Sequence, residues 1–167
     1  LCNPRMRVNA DLQTDILNMM GSKIHLHKTM MNLVSNASDA MSSGGVLNIK
    51  TSNQYLDRAI SGYDHVREGD YVVLSVSDTG GGISSDDISH IFEPFYTKKV
   101  MGRSGTGLGM AVVWGTVKDH KGHIDLESTE GQGTEFTLCF PATRKTPVKE
   151  ESLSLADYRG KGESILV

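Results

Sequence analysis

Glycine is unevenly spread along this chain, and the unevenness limits its backbone more than any other feature. The 167 residues hold 18 glycines, which gather at Gly80-Gly81-Gly82, between positions 102 and 109, and at Gly131 and Gly133. Glycine gathered between stretches of regular apolar pattern marks special backbone, not disorder. The length fits one globular domain with a tail. Charges are mixed in sign and the net charge is only -3, which gives no basis for broad binding to nucleic acid or to an anionic membrane. Any phosphate binding must therefore be local. Cys2 and Cys139 form no C-x-x-C or His/Cys cluster, so neither zinc nor a disulfide framework is expected, and a reduced, cytoplasmic setting fits best. No run approaches the roughly 18 apolar residues of a membrane span, and residues 1–10 lack a signal-peptide pattern. The expectation is no direct membrane contact, with any anchor of a longer parent lying upstream.

Between residues 26 and 41, Leu26, Met30, Leu33, Val34, Ala37, Ala40 and Met41 recur at steps of three and four, which predicts an amphipathic helix ended by Gly44-Gly45. Residues 46–51 read as a strand, residues 53–70 as an irregular connection, and residues 71–77 as an interior strand that ends at Asp78. Ser84 is placed to cap a short helix through Phe92, closed by Pro94. A second long helix is expected from about Gly107 to Lys121, with Gly122 as its left-handed cap. Residues 123–128 and 134–140 then form an antiparallel hairpin. The order helix, strand, strand, helix, hairpin predicts an α/β fold, a two-layer sandwich of a mixed sheet covered on one face by helices.

Asn32, Asn36 and Asp39 share one stripe at the edge of the first helix's apolar face. Amide oxygens suit Mg²⁺, yet on this helix alone a purely solvated stripe is an equal reading. Asp78 precedes Thr79-Gly80-Gly81-Gly82, so a carboxylate stands where bare backbone lets a flat ligand approach, although such a sequence is often only a turn. Gly105-Thr106-Gly107-Leu108-Gly109 opens a helix, whose free N–H groups and dipole favour phosphate. It matches neither the P-loop nor the dinucleotide fingerprint. Lys98, Lys99 and Arg103 bring positive charge to a segment able to close over a triphosphate, or are ordinary surface.

Together these stretches are far more specific. Asn32-Leu33-Val34-Ser35-Asn36-Ala37-Ser38-Asp39, Asp78-x-Gly80-x-Gly82, Phe92-Glu93-Pro94-Phe95-Tyr96-Thr97-Lys98-Lys99, Gly105-Thr106-Gly107-Leu108-Gly109 and Gly131-Gln132-Gly133-Thr134 follow one another. Over residues 9–141 the chain resembles the ATP-binding domain of sensor histidine kinases. The resemblance implies the Bergerat fold, with ATP and Mg²⁺ as cofactors. Asn36 would hold Mg²⁺, with Asn32 and Asp39 beside the phosphates. Asp78 would read the adenine amino group, and Gly80, Gly82, Ile83 and Thr134 would shape the base pocket. Tyr96, Thr97 and Lys98 would flank the nucleotide, although Lys98 departs from the family by standing where many kinases have a second Thr. Lys99 and Arg103 would approach the terminal phosphate, and the loop from Gly105 to Gly109 would wrap the phosphates.

Hydrolytic relatives of this superfamily carry a Glu four residues before the Mg²⁺-binding Asn, and here that position is Asn32. A carboxamide takes no proton at neutral pH, so phosphoryl transfer is favoured over attack by water. Asn32, Lys99 and Arg103 are the expected catalytic residues. The alternative is an ATP-binding regulatory module or a slow ATPase. None of the six histidines has the acid that follows the family's phosphorylated histidine, so the acceptor is expected on a separate histidine-bearing dimerisation domain. The expected organisation is a catalytic domain over 1–144, a linker over 145–163, and the truncated start of a response-regulator receiver domain over 164–167.

Overall fold

A computed structural model describes residues 5–57, 66–97 and 106–146. Its elements are β1 (Met6–Leu12), β2 (Asn18–Met19), α1 (Lys23–Ala40), β3 (Gly45–Leu56), β4 (Gly69–Asp78), α2 (Ser85–Ile88), α3 (Gly109–Asp119), β5 (His123–Thr129) and β6 (Gly133–Thr143). The sheet runs β1-β3-β4-β6, with β5 pairing β6 and the short β2 meeting Ala142 and Thr143 of β6. Among the described residues only β1 and β3 are parallel; the other pairs are antiparallel. A parallel pair needs a crossover, and α1 supplies it. That requirement lays α1 across the sheet, where α3 joins it.

The expected two-layer α/β architecture is present. Leu33, Ala37 and Met41 from α1 and its C-cap meet Met110, Val113 and Val117 of α3 over Leu47, Val76, Ile124, Phe136, Leu138 and Phe140 of the sheet. These apolar side chains sit three or four apart on the helices and two apart on β6, the periods that collect them on one face. Ser22 caps α1 by accepting the His25 N–H at 3.4 Å. The Ser22 N–H in turn donates to Nε2 of His120, at the C-cap of α3, at 2.9 Å. The start of one helix is thereby tied to the end of the other.

Several sequence expectations need correction. Strands β3 and β4 extend to Leu56 and back to Gly69, so both ends of the supposed irregular connection are regular sheet. Asn53, Gln54 and Asp70 carry no apolar alternation, which hides these strand ends from a hydrophobicity reading. The short helix covers only Ser85–Ile88, and the Ser84 hydroxyl donates to the Asp87 carboxylate instead of capping a backbone N–H. α3 starts at Gly109 and ends at Asp119. Its left-handed residue is Lys121 (φ 55°), not Gly122. Gly122 serves close approach instead, since a Cβ there would lie 2.7 Å from the Cys139 carbonyl oxygen. β1 escaped the sequence reading because an edge strand exposed along most of its length carries little apolar pattern.

Leu138 lies at the centre of the core with none of its surface exposed. Leu138→Ala should lower unfolding free energy by about 2 to 5 kcal/mol, the range for truncating a buried leucine. Urea denaturation followed by circular dichroism measures this, and a loss well under 1 kcal/mol would show that the core is not organised around this position.

Candidate functional site

A cavity of about 630 Å³ opens beside α1 and α3 at the end of β4. That volume is in the range of small-molecule and cofactor sites. Of the side chains expected from sequence, Asn32, Asn36, Asp39, Asp78, Gly82, Ile83, Tyr96, Thr97, Thr106, Gly107, Gly109 and Thr134 line it. Gly80 and Leu108 are not among its lining residues. Lys98, Lys99, Arg103 and Gly105, together with the linker and receiver segments beyond residue 146, lie outside the described residues. Sequence reasoning missed Ser35, Ala37, Ala40, Asp87, Ile91, Met110 and Phe136 as lining residues. Ser35 follows Asn32 by three on the same helical stripe and was recoverable from spacing. Met110 and Phe136 belong to the core, and only assembly shows that they also floor the cavity.

Asp78 ends β4 opposite Thr134 of β6. Its Oδ1 accepts the Gly80 N–H at 2.8 Å. Burial pushes the carboxyl above its ordinary value of 3.8, against the opposing pull of the Gly80 and Thr134 N–H groups. Gly80 therefore acts from behind the site: a Cβ there would meet Ala40 and Asp78 at 2.8 Å. Beyond it the chain presses on the β5–β6 turn. Gly82 has φ 66°, and a Cβ there would fall 2.1 Å from the Thr129 carbonyl oxygen, so no larger residue fits. The Gly131 N–H donates to the Gly81 carbonyl at 2.7 Å. Ser128 closes the corner: its hydroxyl accepts the Ile83 N–H at 2.9 Å and bonds the Gly133 carbonyl.

Across the cavity, the Asn32 amide donates to the Gly109 carbonyl at 3.1 Å. This uses the donor side of the amide at the start of α3 and joins α1 to the glycine turn. Gly107 has φ 68°, and a Cβ there would lie 2.5 Å from the Phe95 carbonyl carbon. The Phe95 N–H donates to the Gly107 carbonyl at 2.9 Å, so the stretch after α2 is clasped to that turn. Phe92 anchors the same stretch, its ring 5.1 Å from that of Trp114 on α3. The result is a recess with an apolar floor, carboxamides on one wall, a carboxylate at the end of a strand and free backbone N–H groups at a helix start. Such a set can hold a flat polar heterocycle together with an anion and a hard cation.

A profile of the family described as "Histidine kinase-, DNA gyrase B-, and HSP90-like ATPase" matches residues 21–144. Among curated proteins, the chain is 45% identical over 112 residues to the sensor kinase CckA of Brucella abortus (66% of this chain, 12% of the relative). It is 38% identical over 124 residues to the sensor histidine kinase ZraS of Escherichia coli K12 (73% and 23%). It is 34% identical over 141 residues to sporulation kinase E of Bacillus subtilis (84% and 17%). The chain thus spans less than a quarter of the length of each of these relatives. Among solved structures, the catalytic domain of the histidine kinase ThkA superposes with a TM-score of 0.63 at 24% identity, covering 83% of this chain and 80% of that one. The mycobacterial sensor histidine kinase MprB gives a TM-score of 0.63 at 20% identity, covering 83% of each chain. At these identities the structural likeness establishes the fold.

The raised Asp78 carboxyl carries a stability consequence. The folded chain holds this proton more tightly than the unfolded chain. Between the ordinary value of 3.8 and the raised folded value, the folded state therefore binds more protons, and stability falls as pH rises through that window. Asp78→Asn removes the ionisable group while retaining an oxygen acceptor for Gly80. Its melting temperature should match the wild type below the window and exceed it at neutral pH. A variant no more stable than the wild type at neutral pH would contradict a desolvated carboxylate.

Proposed function

Since this chain belongs to the family of histidine kinase-, DNA gyrase B- and HSP90-like ATPases, we propose that it is the ATP-binding catalytic domain of a sensor histidine kinase. It holds Mg-ATP and presents the γ-phosphate to a histidine on a separate dimerisation domain of the same parent protein, in two-component signalling. The observation that carries this reading is the convergence on one cavity of residues from five separated stretches, represented by Asn36, Asp78, Tyr96, Gly107 and Thr134. In this reading residues 1–144 are the catalytic domain, 145–163 a linker and 164–167 the start of a receiver domain. The setting is the cytoplasm, and no helix among the described residues is long and apolar enough to cross a membrane.

The described lining carries the carboxylates Asp39, Asp78 and Asp87 and, among the described residues, no Lys or Arg. Such a wall repels a naked triphosphate, so a bound cation is part of the reading. Asn36 would hold Mg²⁺, since an amide oxygen is a suitable hard ligand, with Asn32 and Asp39 of the same helical stripe beside the phosphates. Bound there, Mg²⁺ would supply positive charge against the negative charge that builds up during phosphoryl transfer. Asp78 accepts from the adenine amino group, for which a carboxylate is matched and a guanine carbonyl is not. Gly82 and Ile83 flank the base, and Thr106, Gly107 and the start of α3 supply N–H groups to the phosphates. Lys99 and Arg103 are assigned to the terminal phosphate. Asn32 cannot accept a proton from water, so transfer to an external nucleophile dominates over hydrolysis.

Calorimetry should show Mg²⁺-dependent binding of ATP in preference to GTP, and Asp78→Ala should cost about 1 to 3 kcal/mol of that affinity. Equal affinity for both nucleotides would remove the adenine assignment. With labelled ATP and the dimerisation domain of its parent, the chain should form acid-labile phosphohistidine on that partner, and Asn36→Ala should abolish the label. Hydrolysis by the chain alone at about 1 per second or faster would replace the kinase reading with an ATPase.

A further inference from the structure

Asp87, on the cavity-facing side of α2, belongs to none of the sequence stretches that suggested a nucleotide site, yet it lines the cavity with Tyr96. Both of its carboxylate oxygens are engaged. Oδ2 accepts the Ser84 hydroxyl at 2.7 Å, and Oδ1 accepts the Tyr96 hydroxyl at 2.5 Å. An ionised carboxylate is an acceptor only, so the single proton of the Tyr96 hydroxyl is committed to Asp87. Toward the cavity the Tyr96 oxygen can then only accept. The backbone at Tyr96 is held as well, its N–H donating to the Glu93 carbonyl at 3.2 Å, and the His90 ring lies 5.5 Å from the tyrosine ring. The neighbouring Phe95 is clasped to Gly107, so the tyrosine stands beside the glycine turn with little freedom to swing away.

We propose that Asp87 is a positioning residue that presents the Tyr96 oxygen to the bound nucleotide as a hydrogen-bond acceptor. It serves a ligand donor, either a ribose hydroxyl or a water held by the metal ion, and it disfavours direct contact with a phosphate oxygen. The inference rests on the nucleotide reading above and adds to it a partner for Tyr96 and a reason for the carboxylate of α2. The Ser84 and Tyr96 hydroxyls fix both oxygens of Asp87, which makes it an orienting group.

The test is calorimetry on the whole chain with Mg-ATP, Mg-2′-deoxy-ATP and Mg-3′-deoxy-ATP, and with ATP in the absence of Mg²⁺. The proteins are the wild type, Tyr96→Phe, Asp87→Ala and the double variant. Tyr96→Phe keeps the ring, and melting curves report whether each variant is folded. Each single substitution should weaken Mg-ATP binding about two- to tenfold, the range of one neutral hydrogen bond. The double variant should be no weaker than the worse single one, as expected for two residues acting through one bond. Loss of the Tyr96→Phe effect with a deoxy analogue identifies the ribose as donor. Persistence there, with loss in the absence of Mg²⁺, identifies metal-held water. Unchanged affinity in the folded single variants, or single effects that multiply in the double variant, overturns the inference and leaves the nucleotide reading standing. A wild type that binds no adenine nucleotide overturns both.

Discussion

A slip of one residue between β4 and β6 would turn Asp78 from the helix-covered face of the sheet to the open face, because successive side chains on a strand point to opposite sides. The observed register sets Asp78 opposite Thr134 and Val76 opposite Phe136. The same alignment that buries Val76 and Phe136 in the core therefore delivers the carboxylate and the threonine to the cavity rim. Core burial fixes the site. The register is further pinned where the Gly81-Gly82 backbone meets the β5–β6 turn, with the Gly131 N–H on the Gly81 carbonyl and Gly82 against Thr129.

The opposite wall depends on a different link. Asn32 joins α1 to the first residue of α3 through the Gly109 carbonyl, so the carboxamide stripe and the glycine turn hold a fixed relation to each other. At the far end of the two helices, His120 does the same by accepting the Ser22 N–H. Two polar links, one near each end of α3, set its relation to α1, while the apolar face between them supplies the burial. Burial is non-directional, and hydrogen bonds supply the alignment that it lacks.

The electrostatics of the recess follow from where its carboxylates come from. Asp78 sits at the end of an interior strand, where burial raises its proton affinity and backbone N–H groups oppose that rise. Asp87 sits on a short helix and is held by two hydroxyl groups. Asp39 lies on the stripe of α1, one turn beyond Asn36. Three acids of unlike surroundings thus share one recess.

The glycine gatherings, the helical stripe of Asn32, Asn36 and Asp39, and the apolar strand running into Asp78 were all legible in the sequence, because each is a local pattern whose period or backbone demand is written in neighbouring residues. The two-layer fold and most of the lining followed from them. Tertiary structure alone decided the rest. β1 is an edge strand held by its pairing with β3, so its residues carry little apolar signal. The left-handed position fell on Lys121 because Gly122 was needed where the Cys139 carbonyl comes close, a contact between residues distant in the chain. Gly80 proved to support Asp78 from behind, outside the lining. Asp87 joined the cavity because folding brought α2 against Tyr96. Local periodicity determines which residues share a face; which faces meet is set by long-range burial and register, and those are properties of the assembled chain.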